Sequence, residues 1–297
     1  MNEIISVLTP TFNRESRLRI LYNSLIEQKK QNFVWVVVDD GSTDNTAITI
    51  QNFIKEDIIP IIYIYKKNGG KHTAINLGVD NINTLLTIIV DSDDCLLPYA
   101  TQIIEDSFYK YKNFENIAFF AFQRCNKDGN KLVELASQET KGNYIDLRIK
   151  GRVYGDMAEV FYTKVLIENK FPTFPNEKFL SEDVLWIEIS KQYDAVFIDE
   201  SIYECEYLED GLTDNDKIMK INSPLGSMLR GKQLMYKKCG IINMFKGIII
   251  YDCYKSFAKC EIPECLKLNK IYLRILCKLL WPFGKIYQWY ITGLVIK

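Results

Sequence analysis

A single histidine and no Cys-x-x-Cys pair in 297 residues argue against a zinc site, because such sites are built from clustered Cys and His. Eight cysteines are nonetheless present. The amino terminus lacks the basic stretch and long apolar core of a secretory leader, so these thiols read as free groups of a reducing cytoplasm. No uninterrupted apolar run reaches the ~20 residues of a membrane-spanning helix. Internal repeats and low-complexity tracts are missing too, which leaves a packed globular architecture.

What is present fits that architecture: 47% of the residues are hydrophobic and 25% charged. The length allows one large domain, or one domain with an extension. Net charge is −1 but unevenly laid out: residues 217–297 hold 15 Lys/Arg and 3 Asp/Glu, against 22 and 35 in residues 1–216. An acidic body joined to a basic tail points to a polyanionic or membrane-surface partner for the tail.

The first hundred residues alternate strand and helix patterns. Residues 4–8, 33–38, 60–65 and 85–90 are apolar runs of strand length, and 17–29, 46–55 and 71–81 carry helical spacing between them. This alternation predicts a parallel sheet flanked by helices, with ligands at the carboxyl ends of its strands. Asp44 or Ser42 is placed to cap the second helix. Beyond residue 100 the pattern predicts a helix over 99–112, a strand over 117–124 and a hairpin at Asp128-Gly129. Helices over 162–169 and 184–192 and a strand over 195–198 follow.

Three of the early strands run into polar clusters. Ile88-Ile89-Val90 empties into Asp91-Ser92-Asp93-Asp94. Carboxylates at i and i+2 share one side of an extended chain, so Asp91 and Asp93 can converge on one hard cation, Mg²⁺ or Mn²⁺. Alone, the same text also fits a solvated turn with Asp94 capping the next helix. Strand two ends in Asp39-Asp40-Gly41-Ser42, where a carboxylate can accept from a base N–H and a helix N-terminus favours anions. Thr9-Pro10-Thr11-Phe12-Asn13-Arg14 offers hydroxyl, backbone and guanidinium donors. Asn68-Gly69-Gly70-Lys71-His72 is a Gly-rich turn with one firm positive charge. Strand one is followed neither by G-x-G-x-x-G, as a dinucleotide-dependent oxidoreductase requires, nor by the basic Gly-rich loop of a sugar nucleotidyltransferase.

In order and spacing, VLTPTFNR (7–14), VVVDDGSTDNT (36–46), GGKHTAINLG (69–78) and IIVDSDD (88–94) resemble the family 2 glycosyltransferases of the GT-A fold, of the bacterial capsular and cell-surface polysaccharide type. The resemblance is close over 1–95 and looser up to residue 215. It implies an α/β, Rossmann-like, mostly parallel sheet over 1–215, with a nucleotide-binding half (1–98) and an acceptor half (99–215). A basic, largely helical extension (216–297) completes the chain. The implied reaction is metal-dependent, inverting transfer from a UDP-sugar to a hydroxyl of a glycan or lipid-linked acceptor.

Carried over by position, Thr9, Pro10, Thr11, Arg14 and Ser92 would frame the nucleotide, and Asp40 would meet the uracil N3–H. Asn76 and Lys71 would flank the ribose and diphosphate. Asp93 would ligate Mn²⁺ or Mg²⁺, with Asp91 on the metal, on a bound water or nearer the ribose. His72 either touches the donor or serves the structure. Glu182-Asp183 matches the family's Glu-Asp pair, so Asp183 would be the general base and Glu182 would orient the acceptor. An acidic helix cap is the plain alternative. Asp156 and Glu159 are weaker candidates for sugar contacts. Glu204, Glu206, Glu209 and Asp210, before Gly211-Leu212-Thr213, resemble the segment that follows the core in some relatives. An intact D-x-D and base candidate argue against a non-catalytic binding module of the same fold.

From Leu266 to Lys297 there is no acidic residue, while Lys267, Lys270, Arg274, Lys278, Lys285 and Lys297 interleave with Tyr272, Trp281, Trp289 and aliphatic residues. That pattern suits an interfacial helix at the inner face of the cell membrane. A helix that completes the core or a homo-oligomer interface is the alternative. Pro282 is expected to break or kink it. No nucleic-acid-binding motif accompanies the basic residues.

Overall fold

The computed structural model describes residues 3–151, 153–205 and 216–295. The acidic segment from Glu206 to Thr213 lies outside the described residues, as does Lys297. The chain opens with β1 (Ile5–Thr11), α1 (Glu15–Ile26), β2 (Phe33–Asp39), α2 (Thr46–Glu56), β3 (Ile61–Tyr65), α3 (Lys71–Val79), β4 (Leu86–Ile89), β5 (Cys95–Leu96) and α4 (Ala100–Tyr111). It continues through β6 (Ile117–Cys125), β7 (Glu139–Gly142), β8 (Met157–Tyr162), α5 (Thr163–Glu168), α6 (Asp183–Ile189) and β9 (Asp194–Glu204). Helices α7 (Asp216–Asn222), α8 (Pro224–Leu234), α9 (Ile241–Lys255) and α10 (Ile271–Val295) follow.

All the strands join one sheet, β3-β2-β1-β4-β8-β6-β9-β5, with β7 also on β9. The β3-β2-β1-β4 portion is parallel. Beyond it the sheet is mixed, since β8 runs antiparallel to both β4 and β6. Every position of β1 is buried, as in a strand covered on both faces; its polar positions Ser6 and Thr9 bond Thr84 Oγ1 and Trp35 Nε1. Tyr22, Trp35 and Phe53 stack under the sheet, Tyr22 and Phe53 with centroids 4.0 Å apart. Because β1, β2 and β4 are parallel neighbours, Thr11, Asp39 and Val90-Asp91 come to the same edge.

The chain divides into two compact units. The sheet unit comprises residues 3–144, 153–170 and 189–205, and the helical unit 145–151, 171–188 and 216–295. The core of the helical unit includes Leu225, Met228, Ile248, Tyr251, Leu266 and Leu273. Its helices α8 and α9 touch through their backbones: a Cβ on Gly247 would stand 2.5 Å from the Gly231 carbonyl oxygen, so only glycine permits the approach. Helix α10 continues through Pro282, so of the expected break or kink the break does not occur. Proline removes one backbone hydrogen bond and crowds the preceding turn, and here that does not end the helix.

Candidate active site

Two loops at the carboxyl edge of the sheet unit are knitted together before any ligand is considered. Asn13 adopts φ 52°; its Oδ1 accepts the Thr43 N–H at 2.8 Å while its own N–H donates to Ser42 Oγ at 2.9 Å. Asp44 Oδ1 accepts the N–H of Thr46 at 3.0 Å and its Oδ2 that of Glu15 at 3.1 Å, so Asp44 serves the start of two helices. Ser42 is used instead in the loop cross-link. Gly41 has φ 86°, and a Cβ there would lie 2.7 Å from the Asn68 nitrogen. Glycine is therefore required where the β2 loop meets the Gly-rich turn.

Asp40 sits where these loops converge, 4% exposed. Its Oδ1 accepts the Gly69 N–H at 2.9 Å and its Oδ2 the Gly70 N–H at 2.7 Å. Lys66 forms an ion pair with it. Three donors thus occupy a carboxylate with about four lone-pair sites, leaving room for one more N–H. Asp39, buried beside it, holds the turn by accepting from Ser42 N–H at 2.7 Å and Tyr63 Oη at 2.8 Å. Lys66 and Tyr63 carried no local motif; only the pairing of β2 with β3 brings them here.

The carboxylates after β4 are each matched to a cation. Lys71 pairs with Asp91, and Arg14 Nη2 lies 3.6 Å from Asp93 Oδ2. Burial opposes ionisation of Asp91, yet Lys71, Arg124 and Arg14 together hold its carboxyl below the usual carboxylate range. Asp94 does not cap the next helix, because α4 begins six residues beyond it with Tyr99 as its cap residue. Instead Asp94 is 8% exposed, accepts from Tyr203 Oη at 2.8 Å, and that same oxygen accepts the Asp91 N–H at 3.0 Å. Arg124 lies over the Tyr203 ring at 4.2 Å. Burial and the neighbouring Asp91 push Asp94 up to about 6.

Other expected site residues fall differently. The Thr9 side chain is fully buried, its hydroxyl accepting Trp35 Nε1–H at 3.0 Å, so it serves the sheet core and offers no side-chain contact to a nucleotide. Pro10 is buried beside it in β1. Thr11 Oγ1 is buried at the strand end without a hydrogen-bond partner, which is the kind of orphan that a ligand or water satisfies. Asn76 is half-buried on α3 and Ser92 is buried. His72 is 4% exposed, and burial pushes it down to about 4; neutral at pH 7, it adds no cation for a phosphate. Asp156 is exposed, and Glu159 is half-buried on β8.

In the helical unit, Asp183 is the first residue of α6. Its Oδ1 accepts from Ser181 Oγ at 2.6 Å, and Arg230 Nε lies 3.2 Å from Oδ1 and 2.9 Å from Oδ2. Glu182 has its Oε1 buried. Arg230 stands 47 residues downstream and escaped sequence reasoning altogether.

Among the described residues, no group of three or more His, Cys, Asp or Glu is arranged to hold a metal by itself. Asp91 and Asp93 still fit a hard divalent ion. Mg²⁺ and its like take one or two carboxylates and complete their shell with water and phosphate oxygens, not with an all-protein cage. Both carboxylates are partly exposed at the edge, 31% and 24% by side chain, so they can accept such a ligand.

Residues 6–156 match the family described as Glycosyl transferase family 2, and the chain belongs to that family. An uncharacterized glycosyltransferase of Rickettsia bellii is 30% identical over 189 residues, which cover 63% of this chain and 26% of that protein. The chain thus spans about a quarter of that relative's length. The GalNAc(5)-diNAcBac-PP-undecaprenol beta-1,3-glucosyltransferase of Campylobacter jejuni is 29% identical over 199 residues, 63% of this chain and 60% of that one. Among solved structures, S. aureus TarS (residues 1–349) in complex with UDP superposes with a TM-score of 0.61 at 14% identity. That match covers 97% of this chain and 91% of the 1–349 fragment, and at such identity it speaks for the fold, which is GT-A.

Proposed function

We propose that this chain transfers a sugar, with inversion, from a UDP-sugar to a hydroxyl of a glycan or lipid-linked acceptor. The observation that carries the proposal is the carboxyl edge of β1, β2 and β4. There Asp40, with three donors and one acceptor site left, the cations Lys66, Lys71 and Arg14, and the Asp91/Asp93 pair share one edge of a GT-A sheet. The UDP and the undecaprenol-linked glycan named for the TarS and Campylobacter relatives support the donor and acceptor classes.

In this reading the remaining acceptor site of Asp40 takes the uracil N3–H, and Gly41 keeps the two loops close enough to frame the base. The buried Thr11 hydroxyl and the Asn76 amide supply further polar contacts. Lys71 and Arg14 are the cations for the diphosphate. Asp183 removes the acceptor proton as the hydroxyl oxygen attacks the anomeric carbon. The new C–O bond forms as the bond to the diphosphate breaks, and that electron pair leaves with UDP. A single displacement inverts the anomeric centre. Held by Asp93 and Asp91, Mn²⁺ or Mg²⁺ would supply Lewis-acid stabilisation of the departing diphosphate. A thermal-shift panel of nucleoside diphosphates and nucleotide sugars is the direct test. UDP and its sugars should raise Tm in the wild type and not in Asp40→Ala. A uridine-independent or absent response in the wild type would refute the donor assignment.

The extension fits a membrane-surface partner. No described helix is long and apolar enough to cross a membrane, but α10 buries Leu273, Cys277 and Ile291 while exposing Ile275, Leu279, Ile286 and Trp289, the last at 77%. These exposed positions lie at roughly helical spacing on a helix free of acidic residues, so an anionic lipid surface is the matching occupant. Wild-type protein should co-sediment with phosphatidylglycerol-containing vesicles and less so at high salt. Replacing Leu279, Ile286 and Trp289 by Ser should cut partitioning tenfold or more, because each side chain withdrawn from water contributes ~1.5 kcal/mol. Equal partitioning of the two forms would remove the idea, as would a concentration-dependent dimer that the same substitutions dissolve.

A further inference from the structure

Within the helical unit, the segment leading into α6 is fastened to α8 at several points. The Glu177 carboxylate accepts the Leu225 N–H at 2.7 Å and the Gly226 N–H at 2.8 Å, at the start of α8. The Phe179 N–H donates to Ser223 Oγ at 3.1 Å. A Cβ on Gly226 would lie 3.0 Å from the Phe179 carbonyl oxygen, so the two backbones are in contact. Arg230 follows Gly226 by four residues and therefore leaves the same face of α8. Its guanidinium reaches the candidate base, with Nε 2.9 Å from Asp183 Oδ2 and 3.2 Å from Oδ1.

We infer that Arg230 is a positioning residue for Asp183, contributed by the carboxyl-terminal extension. The inference rests on the reading of Asp183 as general base. Side-chain rotation is what a short carboxylate at a helix start retains, and a base must be held in reach of the proton it removes. Ser181 Oγ and the guanidinium Nε both bond Oδ1, whereas among the described residues Oδ2 is bonded by the guanidinium Nε alone. Oδ2 is accordingly the oxygen left for the acceptor hydroxyl. The Arg230 Nε–H is shared between both carboxylate oxygens, and its direction is fixed by the planar guanidinium, whereas a lysine ammonium is a rotatable point charge. The extension on this view completes the acceptor side of the reaction, beyond any role at a membrane.

An ordinary structural ion pair is the competing account, and kinetics separate the two. Arg230→Met in the full chain should lower kcat about 10- to 100-fold, consistent with loss of orientation for a group worth ~10²–10⁴ in rate. The donor KM and the UDP Kd should stay within about twofold. Arg230→Lys should recover only part of the loss. Combined with Asp183→Asn, Arg230→Met should cause no further fall in residual turnover, because two groups acting as one unit are non-additive. Unchanged kcat in Arg230→Met, a loss confined to donor KM, or an equal loss on the Asp183→Asn background would overturn the inference. If Arg230→Met lowers Tm by more than a few degrees, Arg230→Lys carries the comparison: full activity there, with wild-type Tm, counts against positioning by the guanidinium. Turnover retained by Asp183→Asn alone would instead sink the general-base reading, a distinguishable result.

Discussion

Asp183→Asn is expected to lose turnover by about 10²–10⁴-fold, the usual worth of a general base, while UDP binding stays at its wild-type level. The substitution is isosteric, and the amide oxygen can still accept from Ser181 Oγ, which donates to Asp183 Oδ1 at 2.6 Å in the native chain. What it removes is the ability to take a proton and one charge-assisted partner of Arg230. Asp183 is 19% exposed by side chain, so the lost ion pair should cost no more than ~1 kcal/mol of stability, and Tm should shift by a few degrees at most. Donor affinity is unaffected in this account because the donor is bound by Asp40, Lys71 and their neighbours in the sheet unit. Single-turnover transfer together with titration calorimetry of UDP makes the comparison. Lost UDP binding would reassign Asp183 to the donor side. Near-native turnover would place the base elsewhere.

The strands and loops of residues 1–95 were legible because their information is local. Buried parallel strands require continuous Ile and Val, helices between them show their spacing, and the carboxyl edge then collects whatever follows each strand. Asp40, Asp91, Asp93, Arg14 and Lys71 could all be placed at one edge on that basis. Side-chain partners were not legible, because they depend on pairing across the sheet. Lys66 reaches Asp40 only because β3 lies beside β2, and Tyr203 reaches Asp91 and Asp94 across 112 and 109 residues of sequence. Thr9 shows the converse: it stands in a nucleotide-framing motif, yet inside β1 its hydroxyl faces a tryptophan that needs an acceptor, a partner that local sequence does not reveal. Proximity alone would put Asp94 at a helix start, yet the intervening β5 pairs with β9 and delays α4. In the second half, short irregular segments leave weak periodicity, and a contact such as Arg230 to Asp183 has no signature at all.

Asp93→Ala, and chelation of the wild type, should each lower transfer about 10²–10³-fold, the scale associated with losing one preorganised charge-stabilising element. The substitution does two things. It deletes one of the two edge carboxylates suited to Mn²⁺ or Mg²⁺, and it frees Arg14, whose Nη2 is 3.6 Å from Asp93 Oδ2. A freed guanidinium can bind the diphosphate more tightly, so UDP affinity need not fall with turnover, and that split is the informative readout. If the carboxylates hold a metal, wild-type UDP affinity should rise on adding Mn²⁺ or Mg²⁺, and Asp93→Ala should lose that enhancement while keeping metal-independent binding. Excess divalent ion should restore the chelated wild type and not the variant. Full transfer in the presence of chelator, with full activity of Asp93→Ala, would assign the leaving-group charge to Lys71 and Arg14. The acidic pair would then serve to hold those two cations in place, since Asp91 binds Lys71 and Asp93 binds Arg14 in the structure. Lys71→Met discriminates further: under metal catalysis it should mainly weaken donor binding, whereas under cation catalysis it should abolish turnover at saturating donor.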